Sequence, residues 1–416
     1  MRRHALLWLV LFAAAAATVG LRASPGEDLS VPEAHTLLVA ESIVSDHDLD
    51  LGDEYGRRAW RSFYGGDLAP VAGPRNGRVL DPQGVGFPLL IAPAYALGGR
   101  VAVELFLAAL SALGYVLCAA LARRLVPDPW ATGAALVAGL SPPALLASTT
   151  IAPDAVAATA IAGAALLALG IRDQPRVRSA FLAAGLVALL PWLGVKFLAP
   201  GAVVAIALLR WLRRRKRALA GFTALEVVLF SGVLYISVND RLYGGLTPYA
   251  VLPEDDPATG TSGLAGHLER WPRLLGMWVD PRAGLLRAAP FALLALAALW
   301  LLARSRRERL AVALPAHVDV EVAAGFLAAI CAAAVLVATF LAPSIGGPWP
   351  PGHELVCVLP CGGALAALAL RRFPRAGAAL AALTIIASIW IVVAVRADAG
   401  GGVAPPRGPM PWLTGG

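Results

Sequence analysis

Long apolar runs separated by short polar stretches recur along the chain from Ala5 to Val395. A helix needs about 17–25 mostly apolar residues to cross the hydrocarbon layer of a bilayer. The pattern yields eleven such segments, at 5–21, 101–122, 130–150, 154–171, 178–195, 197–212, 218–238, 284–303, 321–342, 354–370 and 376–395. It therefore predicts an all-α integral membrane protein, with one polytopic transmembrane domain over 1–395. Longer polar stretches interrupt it at 22–100, 239–283 and 343–353. The Gly/Pro-rich end, 396–416, reads as a disordered tail.

The 22–100 stretch has a pattern of its own. Ser30-x-x-Glu33 is a capping box, and an amphipathic helix should follow to about Ser45, with Glu33, Leu37, Ala40 and Val44 on one stripe. Further on, Val85 to Leu97 is apolar but contains Pro88 and Pro93. That is too short and broken for a span and fits an interfacial or re-entrant helix. If it did cross, every later segment would be inverted.

Composition agrees with this reading: 58% of residues are hydrophobic and 15% charged, with mean hydropathy +0.70. The net charge of +8 would suggest nucleic acid in a soluble protein; here it is read loop by loop, and no nucleic-acid partner is expected. Basic clusters at Arg2-Arg3, Arg123-Arg124, Arg172 to Arg178, Arg210 to Arg217, Arg304 to Arg309 and Arg371 to Arg375 hold 20 of the 35 Lys+Arg. With eleven crossings all six clusters fall in the cytoplasm. The protein is then multi-pass in the plasma (inner) membrane, with its amino terminus inside and its tail outside. Arg2-Arg3 before an Ala-rich run also fits a cleaved signal peptide, but no small-x-small site precedes Ser24, which favours retention. The four cysteines, Cys118, Cys331, Cys357 and Cys361, all lie in expected spans, where packing explains them better than disulfides or metal binding.

The acidic residues have the opposite distribution. Nine of the 27 lie between Pro25 and Tyr55: Glu27, Asp28, Glu33, Glu41, Asp46, Asp48, Asp50, Asp53 and Glu54. Polar chemistry therefore belongs to the outer segments. Glu33 has two readings, a helix cap or a functional carboxylate favoured as an anion by the helix dipole. Asp46, Asp48 and Asp50 resemble the start of a calcium loop, but Gly52 comes one place late and Arg57 stands where an EF-hand has its bidentate Glu. An EF-hand site is excluded. Ionisable residues within or at the edges of spans, Glu104, Asp154, Lys196 and Glu226, suggest function by their cost.

The order of these motifs resembles the polytopic GT-C glycosyltransferases, in particular the bacterial branch related to aminoarabinose, galacturonic-acid and protein-mannosyl transferases. The resemblance rests on Glu33-Ala-His35-Thr, Asp46-His-Asp-Leu-Asp, Gly86-Phe-Pro-Leu-Leu-Ile-Ala-Pro-Ala-Tyr95, Ser141-Pro-Pro, Ala152-Pro-Asp154, Leu190-Pro-Trp-Leu-Gly-Val-Lys-Phe197, the run Asp280 to Gly284, and Gly346-Gly-Pro-Trp-Pro-Pro-Gly-His353. It implies transfer of a sugar from a polyprenyl-phosphate carrier to an acceptor at the outer face. The carrier and membrane lipids would be the partners. The resemblance also implies a first-loop acid at the reaction centre. The run of this chain, Pro32-Glu33-Ala34-His35-Thr36, keeps Glu33 and His35 and has Pro32 where the branch has Asp.

Inverting transfer needs a carboxylate to take the acceptor's proton, and cations to stabilise the departing phosphate. The candidate bases are Glu33, then Asp28 and Glu27. Lys196, His353, Arg57 and Arg58 are candidates for phosphate contact, with Asp154 beside them in the substrate site. A divalent metal ion, Mg or Mn, is the candidate cofactor. Two other readings stand beside the enzyme: a lipid-sugar transporter or flippase, against which the chain shows no internal repeat, and a catalytically inactive GT-C-like scaffold.

Overall fold

The computed structural model describes residues 2–21, 29–214, 218–252, 264–280, 284–308, 315–342 and 352–397, and among them every extended element of secondary structure is helical. Among the described residues seven helices are long and apolar enough to cross a membrane: Gly86–Ala122, Asp154–Asp173, Val195–Arg214, Leu219–Val251, Asp319–Phe340, His353–Arg372 and Pro374–Arg396. The other four expected spans fall on shorter apolar helices, Arg3–Ala16, Trp130–Gly139, Val177–Leu193 and Pro290–Arg304. At 1.5 Å per residue none of these four reaches across about 30 Å of hydrocarbon.

The innermost helices are Asp154–Asp173 and His353–Arg372, each 78% buried over its most apolar window. Both are rich in Ala and Gly, which lets neighbouring backbones approach closely where no hydrophobic effect drives helices together. Asp154–Asp173 packs against Gly86–Ala122 and Val177–Leu193. Leu219–Val251 is only 17% buried and shows Phe222, Leu229, Phe230 and Val233 on its outer side, as lipid-facing positions require. Glu226 is also exposed on that helix.

The helix that opens at Gly86 is broken at Gly98 and Gly99. Gly99 has φ 60° and ψ −147°, a region closed to side chains, and Leu97 before it is 88% exposed. Residues 86–97 thus form a separate helical segment ahead of the expected span 101–122. Glu104, inside that span, is paired with Arg100 at 2.5 Å and accepts from the Gly20 amide at 3.1 Å.

The first long loop packs as part of the body. Its helix Val31–Ser45 starts and ends where the sequence predicts, but the expected single apolar stripe is wrong. Ala34, His35, Thr36, Leu38 and Val39 are buried as well as Glu33, Leu37 and Ala40, while Val44 is half-buried. The helix is covered on one side by Gly86–Ala122 and on another by the Ala59–Ser62 turn. Its polar side chains are satisfied internally: Thr36 donates to the Pro32 carbonyl and Ser42 to Asp48.

Candidate active site on the loop face

Lys196 sits where two helices meet. Val177–Leu193 ends after Pro191, a short 3₁₀ turn Val195–Phe197 follows Gly194, and Leu198–Arg214 begins at once. The turn aims the ammonium at the head of the helix Asp154–Asp173, where Lys196 Nζ lies 2.8 Å from Asp154 Oδ1. Asp154 Oδ2 is 3.4 Å from Nε2 of His353, the first residue of the turn His353–Val358, and Glu354 Oε2 is 4.0 Å from the ammonium. Three chain segments far apart in sequence thus deliver one cation, one imidazole and two carboxylates to one point. The Asp154 side chain is 2% exposed and that of Lys196 32%. Lys196 has three N–H donors, so Asp154 can fix the ammonium while donors remain for an incoming anion.

Glu33 lies close to this group through the backbone. Its Oε2 accepts from the Ser30 amide at 2.9 Å and the Ser30 hydroxyl at 2.7 Å, which closes the capping box. Its Oε1 accepts from the amide of Ile151 at 2.8 Å, three residues before Asp154. Burial pushes the pKa of Glu33 above the ordinary carboxylate range, against the pull of Ser30, Ile151 and Arg100. Asp28 and Glu27, the other candidate bases, lie outside the described residues.

His35 belongs to a second group. Its Nδ1 is 2.9 Å from Tyr55 Oη and 3.6 Å from Asp81 Oδ2, and both His35 and Asp81 are buried. Burial pulls His35 down to about 4 and pushes Asp81 up to about 6. Asp81 was missing from the candidates drawn from sequence. Its one signal there is isolation, as no other acid occurs between Asp67 and Glu104.

Arg57 and Arg58 are exposed and serve the loop. Arg57 lies 2.5 Å from Asp46, 3.2 Å from Glu54 and 3.9 Å from Asp53. Arg58 has φ 55° and ends the short helix Gly52–Arg57. Asp46, Asp53 and Glu54 are the group of acids that converges closely enough for a metal among the described residues. Burial and the neighbouring acids push Glu54 up to about 8. Arg57 already supplies their counter-charge, and the trio shares no residue with the Lys196 group, so it does not fit the expected phosphate-bridging ion.

An apolar cavity of about 300 Å³ is lined by Ser141, Trp278, Leu285, Phe291 and Leu355 among others. Of these, Leu355 follows His353 of the polar group by two positions in the chain.

Two solved structures share this arrangement of helices. ArnT from Cupriavidus metallidurans bound to undecaprenyl phosphate superposes with a TM-score of 0.54 and 15% identity, over 94% of this chain and 71% of that chain. The same protein in the apo state gives 0.51 and 17%, over 94% and 70%. The chain has the fold of ArnT, a GT-C glycosyltransferase. No family model matches the sequence, and no curated protein matches it. The resemblance expected from the motifs is therefore found at the level of the fold.

Proposed function

We propose that this protein transfers a sugar from a polyprenyl-phosphate carrier to an acceptor at the outer face of the plasma membrane. The observation that carries the reading is Lys196. It is a cation held at 2.8 Å by a buried carboxylate at a helix junction, in a chain whose fold is that of a protein solved with undecaprenyl phosphate. Lys196 and His353 receive the carrier phosphate, and Asp154 orients both. The start of the polyprenyl chain occupies the 300 Å³ cavity. As the bond from sugar to phosphate breaks, charge grows on the phosphate oxygens, where a fixed ammonium stabilises it.

Lys196→Ala should weaken binding of undecaprenyl phosphate about 10- to 100-fold, the worth of one charge-assisted hydrogen bond. Lys196→Arg keeps the charge paired with Asp154 and should retain much of the affinity. Lipid-binding measurements on both decide it: equal affinity in wild type and Lys196→Ala would remove Lys196 from the phosphate site. A second reading, a carrier-binding protein without transfer, is favoured by Glu33, whose two oxygens are both engaged by donors. Release of labelled sugar from the carrier by the purified protein would exclude it.

A further inference from the structure

We propose that Asp81 is the carboxylate that takes the acceptor's proton, a role that rests on the glycosyl-transfer reading above. Its Oδ1 accepts from the Gln83 amide at 2.8 Å, whereas Oδ2 is buried without a hydrogen-bond partner. The nearest cationic candidate, His35 Nδ1, stands 3.6 Å away, beyond hydrogen-bond range, and is engaged with Tyr55. Burial raises the Tyr55 phenol and lowers His35, so at neutral pH the phenol keeps its proton and the imidazole is uncharged, its Nδ1 sharing a hydrogen bond with Tyr55 Oη. A buried acceptor left open in this way is costly and calls for an explanation such as a ligand.

The contrast with Glu33 is direct. Glu33 holds three donors on two oxygens, and Asp81 has one oxygen free. Burial places Asp81 at about 6, so it is mostly ionised at neutral pH yet basic enough to take a proton. Its position also suits the reaction. Tyr249, 37% exposed, lies within electrostatic reach of Asp81 and of Lys196, Asp154 and Glu354.

In the step proposed, the acceptor hydroxyl oxygen bonds to the anomeric carbon and the bond from that carbon to the carrier phosphate oxygen breaks. The bonding pair leaves on the phosphate, and the hydroxyl proton passes to Asp81 Oδ2. The Asp81 side chain is 3% exposed, so the acceptor's approach requires local opening around Gly84, against which Pro248 packs.

The test uses the full-length protein with undecaprenyl phosphate and a panel of labelled undecaprenyl-phosphate sugars. Asp81→Asn should keep the affinity for undecaprenyl phosphate while kcat falls about 100-fold or more. In the wild type, kcat/KM should drop as pH falls through about 6, because Asp81 then gains the proton it must be free to accept. The other titratable groups facing it are His35, Tyr55, Tyr243 and Tyr249, an imidazole pulled down to about 4 and three phenols. Wild-type turnover in Asp81→Asn with the carrier still bound would overturn the role of Asp81 alone. A wild type that binds no undecaprenyl phosphate would overturn the reading of the site and this role with it. If Asp81→Asn does not fold, the wild-type profile decides: a flat acid limb overturns the proposal.

Discussion

Glu33 illustrates how a residue's role changes when all its partners are counted. A Gln at this position would normally preserve a capping box. Here it would not, because Oε2 serves two Ser30 donors and Oε1 serves the Ile151 amide. Whichever way an amide turns, its NH₂ faces a donor. Glu33→Gln is therefore expected to lose about 1–3 kcal/mol, the cost of leaving a buried donor unpaired. Denaturant unfolding of purified protein measures this, and a variant as stable as wild type would refute the triple engagement. The pair with Ser30 was legible in sequence because it is local. The bond to Ile151 was not, since 118 residues intervene. Asp81 was illegible for a related reason: its significance comes from a missing partner, and only a three-dimensional neighbourhood shows what is missing.

Elements were legible where a local signal sets them. Ser30 and Pro32 start the helix Val31–Ser45, and Gly98-Gly99 separates the Pro-broken segment from the span that follows. What periodicity could not show was burial on nearly all sides of that first helix, because its coverings come from distant parts of the chain. The meeting of Asp154, Lys196 and His353 was hidden in the same way, although each was singled out as costly or as part of a motif. Gly86 joins two of these elements. A Cβ at this residue would stand 2.2 Å from the Trp192 carbonyl oxygen, at the end of the helix that leads into the Lys196 turn. Gly86→Ala should thus cost about 1–3 kcal/mol by overpacking and push the turn out of place. Thermal unfolding and undecaprenyl-phosphate affinity should fall together, whereas loss of neither would mean that the two backbones are not in contact.

Across the whole molecule, charge separates the two ends. Asp154 begins its helix at the loop face, and Asp173, at the far end, pairs with Arg124 while Arg172 pairs with Asp319. Arg123 joins His4 and Asp128 at the same end. Basic residues read from sequence at Arg123-Arg124 and Arg172 thus gather, beside His4, at the end opposite the site, the one-sided clustering that the positive-inside rule describes. A topology reporter fused after Arg217 should read as cytoplasmic and one after Arg396 as external; a reversed signal at either position would break the eleven-crossing arrangement. The bond between Glu33 and the Ile151 amide also sets an order in time. As the chain emerges, Ser30 and Glu33 can pair at once, but Ile151 follows 118 residues later. At synthesis rates of about 5–20 residues per second that is roughly 6–24 seconds. For that interval the first loop waits on the membrane surface with Glu33 half-engaged, and it can seat only after the intervening segments have been inserted. Maturation of the site is therefore tied to the progress of translation.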